Sequence, residues 1–402
     1  MRWSTPSLLL ASLLVGTLST PATLAADPSP GPGYRLTGVR RIELPGVRIL
    51  SMSPDGASIA GVRPAVGYAR GELCTFELVT LAERACTSVA DLGSTLRLED
   101  VTWSPDGSHL AFTANAFQTF KDGDLWLMDA ATGEVTNLDD DGFEGSLPFG
   151  DDGTDALVTV DVSPAFTSDG SAVSFSRTSF QGSIPGGNDI ATVPLVGGDP
   201  TSLATVSDGI GAAYFGMAWT TDGTRLAYSL HEPDPDHPGN GIWLMDADGT
   251  GRHLLAGRTD VELGAPAVAQ ISPAGDRLLA WYPIAAMRYS GPDALALIDM
   301  TTGDATSLGT DDADSPVAAI TLATFSPDGS ALLEVTTRTN PDHQVRIRDL
   351  ASGTLMALLP EGLESAGPPQ YGMMPTWATN GTVLITGGGD LSGATLLTLA
   401  AG

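Results

Sequence analysis

The chain has 402 residues and a formal net charge of -29, from 48 Asp and Glu against 19 Lys and Arg. A field of that sign repels polyphosphates and anionic lipid, so nucleic acid and anionic membrane surfaces are excluded as partners. It does not by itself define an acidic binding surface, because many of the aspartates fall in tight turns where the side chain caps the local backbone.

Residues 1–25 combine the basic Arg2, an apolar stretch over 8–18, and small residues at Thr23 and Ala25. That is the pattern of a secretory signal peptide and not of a membrane span. Residues 26–38, with the run DPSPGPG, read as a Pro/Gly-rich linker with no means of building a core. No cysteine follows the signal and no later apolar run reaches the roughly 20 residues of a transmembrane helix. The expectation is a secreted monomer, extracellular or in the periplasm or cell envelope. The single lysine, Lys121, against 18 arginines, with abundant alanine, points to a high-GC bacterial genome.

From residue 49 onward one phrase returns seven times. It reads ILSMSPDGASIAGV (49–62), VTWSPDGSHLAFTA (101–114), AFTSDGSAVSFS (165–176) and MAWTTDGTRLAYSL (217–230). AQISPAGDRLLAWY (269–282), ATFSPDGSALLEV (323–335) and PTWATNGTVLITG (375–387) complete the set. Each copy is an apolar strand, a turn and a second strand. Pro pre-sets φ at the first central turn position, and Asp-Gly or Asn-Gly supplies the positive φ and local hydrogen bonding that close a hairpin. A second hairpin follows in most units, as in DLWLMDAATGEVTNL, GIWLMDADGTGRHLL and HQVRIRDLASGTLMALL. Two hairpins per repeat make a four-stranded antiparallel blade, and a fixed period of such units is a β-propeller. The seventh unit has only three strands, ending with ATLLTLAAG (394–402), while VRRIELP (39–45) is a strand without a hairpin partner. Their pairing would hide two exposed edges. The prediction is an all-β, seven-bladed propeller over 39–402, closed by its own N-terminal strand.

The SPDG hairpin followed by a strand such as LWLMD resembles the repeat of the TolB-like propellers, relatives in shape of the WD-repeat proteins, over nearly all of 39–402. The chain differs from TolB itself in having seven repeats where that protein has six, and in lacking its separate N-terminal domain. The resemblance implies protein binding for the most part. The same repeat also occurs in propellers attached to serine peptidases and in an oligogalacturonate lyase, so the fold does not decide the function.

Within the repeat, Trp103, Trp219 and Trp377 share a position with Phe166, Phe325, Met52 and Ile271, and Trp126 and Trp243 recur in the third strand. These period-matched aromatics read as packing between blades. Cys74 and Cys86 are the only cysteines. Secretion favours a bridge. Matching CTFELVTLAERACTSV to DLWLMDAATGEVTNL instead sets the turn at residues 82–84 and Cys86 opposite Val79, too far from Cys74 to bridge. Both outcomes stay open.

Alternating strand direction puts the SPDG and DAATG turns on one rim, and the long, irregular connections on the other. Variable loops on a rigid scaffold are the usual place for binding. The loop rim carries Arg63, Tyr68 and Arg70; Phe117 and Lys121; Arg177; His231 and His237; Arg288 and Tyr289; and Arg338 and His343. Arg and Tyr are favoured interface anchors, and Arg forks onto carboxylates. The run NLDDDG fits the start of a calcium loop with Asn137, Asp139 and Asp141, although Pro148 stands where the bidentate Glu belongs. No G-x-S-x-G elbow, P-loop or dinucleotide fingerprint occurs. The expected function is a non-catalytic, cofactor-free propeller that binds a protein or cell-envelope component through the loop rim. The alternative is a calcium-dependent carbohydrate-binding or polysaccharide-cleaving propeller.

Overall fold

The computed structural model describes residues 33–401 except 65–70, 89–95, 115–122, 141–156, 182–183, 208–215, 233, 235, 259–264, 283–293, 309–319, 337–344, 359–374 and 388–392. The signal segment, Tyr68, Arg70, Phe117, Lys121, Asp141, Arg288, Tyr289, Arg338 and His343 therefore lie outside the described residues.

The repeated phrase folds through its own side chains. In the first copy Ser53 Oγ donates to Asp55 Oδ1 at 2.6 Å and the Ala57 amide donates to the same oxygen at 2.9 Å. The Ser58 amide then donates to Ser53 Oγ at 2.9 Å, and Gly56 takes the positive φ of 72°. The arrangement recurs at Ser104 with Asp106, Thr167 with Asp169, Thr220 with Asp222, and Ser326 with Asp328. In the fifth copy the acid stands two places further on, and Asp276 still accepts from Ser272 Oγ at 2.7 Å.

These hairpins pair into seven four-stranded sheets, and no helix occurs among the described residues. A first strand, β1 (Tyr34–Glu43), precedes the blades. Blade one is β2 (Arg48–Met52), β3 (Ser58–Pro64), β4 (Gly71–Glu77) and β5 (Glu83–Ser88); blade two is β6 (Leu96–Trp103), β7 (His109–Ala114), β8 (Leu125–Asp129) and β9 (Val135–Asn137). Blade three is β10 (Leu157–Phe166), β11 (Ala172–Gln181), β12 (Ile184–Pro194) and β13 (Thr201–Ser207); blade four is β14 (Met217–Trp219), β15 (Arg225–Leu230), β16 (Gly241–Asp246) and β17 (His253–Gly257). Blade five is β18 (Ala267–Ile271), β19 (Arg277–Tyr282), β20 (Ala294–Asp299) and β21 (Ala305–Ser307); blade six is β22 (Ile320–Phe325), β23 (Ala331–Thr336), β24 (Val345–Asp349) and β25 (Leu355–Ala357). Blade seven is β26 (Thr376–Trp377), β27 (Thr382–Gly387) and β28 (Gly393–Ala401), with β1 as its fourth strand.

β1 runs antiparallel to β28 from Tyr34↔Ala401 to Glu43↔Gly393, the closure read from the sequence. It begins five residues before Val39, because Tyr34 and Leu36 also pack against the core between blades six and seven. Tyr34 meets Trp377 edge to face at 4.8 Å. On the turn rim the Thr379 amide donates to the Pro54 carbonyl at 2.9 Å, joining blade seven to blade one.

The core is a ring of inter-blade layers. Ala60, Val62 and Leu73 of blade one face Leu110, Phe112 and Met128 of blade two, and the other boundaries follow the same plan. Each fully buried Leu or Phe contributes about 1.5–3 kcal/mol. Trp103, Trp377, Phe166, Phe325, Met52 and Ile271 are buried as the period implied, and Trp219 is half-buried.

The outer turn of a blade seats on the last strand of the blade before it. At Gly303, where φ is 77°, an added Cβ would lie 2.1 Å from the Leu255 carbonyl oxygen. Gly353 has a similar φ of 72° and open space around it. Gly353→Ala should therefore lose only the left-handed backbone preference, about 1–2 kcal/mol, while Gly303→Ala loses that and the blade contact. Chemical denaturation of the two variants checks this, and equal losses would contradict it.

Candidate functional site

Among the described residues the loop rim is organised by arginine–carboxylate clusters, and one deeply set cluster lies between blades two and three. Blade three departs from its neighbours. Its first three strands have 10, 10 and 11 residues, against 3, 6 and 6 in blade four. The ladder of β10 and β11 continues to Leu157↔Gln181, and that of β11 and β12 to Gln181↔Ile184. The hairpin thus runs four residues past Arg177, roughly 13 Å of strand.

Arg177 anchors the base of that extension. Its Nε donates to Asp161 Oδ1 at 2.9 Å and its Nη2 to Asp161 Oδ2 at 2.8 Å, a two-pronged pair across the β10–β11 ladder. Nη2 also donates to Asp139 Oδ2 at 2.5 Å, and the guanidinium lies over the Phe175 ring, 5.1 Å from its centroid. Both carboxylates are fully shielded from solvent. Asp139 Oδ1 accepts the Leu125 amide at 2.8 Å, and the Asp161 amide donates to the Gly123 carbonyl, so the cluster ties blade two to blade three.

Burial, then the neighbouring Asp161, pushes the Asp139 carboxyl up to about 9. Burial also raises Asp161, against the pull of Asp139 and Arg177. Asp161 takes the two-pronged bond from the guanidinium. At neutral pH Asp139 is protonated, and the cationic Arg177 is held between the two carboxyls.

The other described rim residues are also engaged. Arg63 spans Glu72 and Glu83, each at 2.5 Å, with Nη1 3.9 Å from Cys86 Sγ. His231 Nε2 lies 3.1 Å from the Pro266 carbonyl of the next blade, and burial lowers its pKa, so it is neutral at pH 7. Exposed His237 belongs to a loop arranged by buried Asn240, whose Nδ2 donates to the Asp234 carbonyl at 2.8 Å. Asn137 Nδ2 donates to Asp124 Oδ2 at 2.8 Å. Its Oδ1 accepts the Asp139 amide. The positive charge beside Asp139 is thus Arg177.

Two features correct or extend the sequence reading. Cys74 and Cys86 stand directly opposite on β4 and β5 and are bridged, with Cα atoms 4.1 Å apart. The predicted register with Cys86 opposite Val79 is wrong, because the turn closes earlier: the Glu77 amide bonds the Ala82 carbonyl, Leu81 takes φ 58°, and the ladder shifts between Thr75 and Phe76. The bridge also removes Cys74 and Cys86 as metal ligands, leaving Glu72 alone of the one grouping of His, Cys and acids with metal-binding spacing found among the described residues. A second buried cluster was missed: Glu334, fully shielded, accepts from Arg346 Nε at 2.8 Å and Arg348 Nε at 2.5 Å. The available signal for both Asp161 and Glu334 is an acid inside an otherwise apolar strand, as in LVTVDV and ALLEV.

No family model matches the chain, and no curated protein matches it in sequence. Its fold is similar to an oligogalacturonate lyase solved in complex with manganese, at 15% identity over 92% of this chain and 98% of that one, with a TM-score of 0.57. It is similar to hydrazine synthase of Kuenenia stuttgartiensis, at 15% identity over 90% and 97% with a TM-score of 0.56. The Swd1 β-propeller domain of Myceliophteria thermophila matches at 12% identity over 89% and 98%, with a TM-score of 0.53. At these identities the likeness shows a propeller fold, shared by proteins of different activities.

The Asp139 arrangement sets a pH dependence. Between the ordinary carboxyl value of 3.8 and about 9 the folded chain holds a proton at Asp139 that the unfolded chain releases, so this group's contribution to stability falls as pH rises through that window. Asp139→Asn removes the titrating carboxyl, and its melting temperature relative to the native chain should climb steadily between pH 5 and pH 9, whatever constant offset the lost acceptor adds. A pH-independent difference would contradict the assignment. For the bridge, denatured and unreduced protein should take up no thiol reagent, and reduction should lower stability by about 3 kcal/mol for a loop of this size. Labelling of both cysteines without reductant would overturn it.

Proposed function

We propose that the protein is a secreted binding module that takes a protein or cell-envelope component on its loop rim. The observation that carries this reading is the blade-three extension, three hydrogen-bonded strands that run past their neighbours from a base pinned by Arg177, standing on the rim from which all the long connections leave. Rigid elements that carry recognition surfaces lose less freedom on binding than loops do. The opposite rim is built from near-identical turns whose polar groups bond to themselves.

Three further points support the setting. The repeat resembles that of the TolB-like propellers, for which protein binding is the common role. The Cys74–Cys86 bridge fits an oxidising compartment. No helix among the described residues is long and apolar enough to cross a membrane.

The test uses tagged mature protein to retain partners from the producing cell's envelope and culture fluid. Two rim variants run beside it: one with residues 179–186 replaced by a two-residue turn, and Arg288→Ala with Arg338→Ala. A partner retained by the native chain should be lost or weakened at least tenfold in the shortened-hairpin variant. Undiminished retention by both variants would place the site elsewhere.

A further inference from the structure

Blade six reverses the charge ratio of the other arginine clusters. Arg177 is one cation shared by two carboxyls, and Arg63 is another, so each of those clusters has acid to spare. In blade six one acid serves two cations: Glu334 Oε2 accepts from Arg346 Nε at 2.8 Å, and Glu334 Oε1 accepts from Arg348 Nε at 2.5 Å. On a chain of net charge -29, positive charge is left over here.

The ladder fixes where that surplus sits. Glu334 pairs with Ala323 on one side and with Arg346 on the other, and Arg348 pairs with Leu332. Leu332 belongs to the core layer between blades five and six, and residues two apart on a strand share a face. Glu334, Arg346 and Arg348 therefore lie on the face of blade six that meets blade five. Blade five presents Leu279, Leu295, Leu297 and Trp281 to the same layer, side chains that offer carbon and an indole N–H but no acceptor. Glu334 is fully shielded, and the side chains of Arg346 and Arg348 are 11% and 18% exposed.

Each guanidinium bonds the acid through Nε, which leaves its Nη groups to find acceptors elsewhere. Arg346 Nη2 is sealed from solvent and has none. Among the described residues no carboxylate other than Glu334 bonds either arginine. A buried donor without an acceptor costs free energy, and more so on a charged group. Two cations on one acid, a sealed donor with no acceptor and a facing wall without carboxylates coincide at one place, and together they call for one more negative charge. The free edge of a guanidinium, with its parallel N–H groups, matches the two oxygens of a carboxylate.

We propose that the Glu334–Arg346–Arg348 cluster is a binding site for a carboxylate group, which takes the free Nη groups of the two arginines and neutralises the surplus cation. Arg346 is the second residue of β24, so the loop-rim end of the boundary between blades five and six is the shortest way in. A monocarboxylate suits the site better than a doubly charged phosphate, because one surplus positive charge is balanced by one negative charge. The site lies within a blade boundary and does not rest on the partner-binding role proposed for the rim.

The test uses chloride as reporter and acetate as competitor, read from the width of the chlorine nuclear magnetic resonance line with the full mature chain at fixed ionic strength and neutral pH. Chloride held on the protein broadens the line, and the chain's overall negative charge keeps non-specific anion binding low. The native chain should broaden the line, and acetate should remove most of that broadening. Arg346→Gln with Arg348→Gln should lose at least fivefold of it, with circular dichroism as the folding check. Glu334→Gln keeps the shape, enlarges the surplus charge and should hold chloride at least threefold more tightly, a gain that a purely structural cluster would not show. Arg346→Lys keeps the charge but loses the fork, so acetate should compete at least threefold less well. A blocked Gly–Glu–Gly peptide separates the sources: competition stronger than acetate's assigns the carboxylate to a protein side chain, and weaker competition assigns it to a free organic acid. Equal broadening by the native and double Gln chains, no effect of acetate, or weaker chloride binding by folded Glu334→Gln would each overturn the proposal.

Discussion

The pairing of β1 with β28 is the constraint on which the ring depends. Each blade buries its two faces only against its immediate neighbours, so seven repeats in a row would leave a bare face at both ends. Bringing the first strand of the chain to the last strand makes the terminal faces into one more ordinary boundary, and the same pairing removes two edges. The turn ring depends on this closure, since the Thr379 amide reaches the Pro54 carbonyl only when blade seven lies beside blade one.

Within that frame the chain varies one inner position of each blade freely, which shows how the fold separates packing from function. The second-strand residue at the blade boundary and its partner on the third strand are Gly61 with Cys74, Phe112 with Trp126, Phe175 with Ala191, and Tyr228 with Trp243. They are Ala280 with Ala296, Glu334 with Arg346, and Ile385 with Thr395 in the remaining blades. The same ladder therefore accommodates the half-cystine Cys74, an aromatic pair or an ion pair. Blade one meets its lack of bulk at Gly61 with the Cys74–Cys86 bridge beside it. Blade six sets one acid against two arginines, and a buried acid without such partners would cost several kcal/mol.

The architecture was legible because it rests on local chemistry repeated many times. Ser–Pro–Asp–Gly carries its own hydroxyl, ring, carboxylate and positive-φ residue, and each does in space what its type implies. The site was much less legible. Arg177 reads as a free rim cation from sequence, yet its partners Asp139 and Asp161 are 38 and 16 residues away and come from different blades. The register of the bridge was misread for a related reason: blade one makes the DAATG turn two residues earlier in the chain than the alignment set it, with Leu81 standing where Gly133 stands, and no composition rule reports a shifted ladder at Thr75 and Phe76.

Hydrogen exchange along the native chain tests the closed ring most directly. The account predicts that amides of β1 from residue 35 to residue 42 exchange as slowly as those of β27 and β28, and open with them in a single cooperative step. Exchange of β1 at the rate of an unpaired terminal segment, with β28 left as a freely exchanging edge, would contradict it.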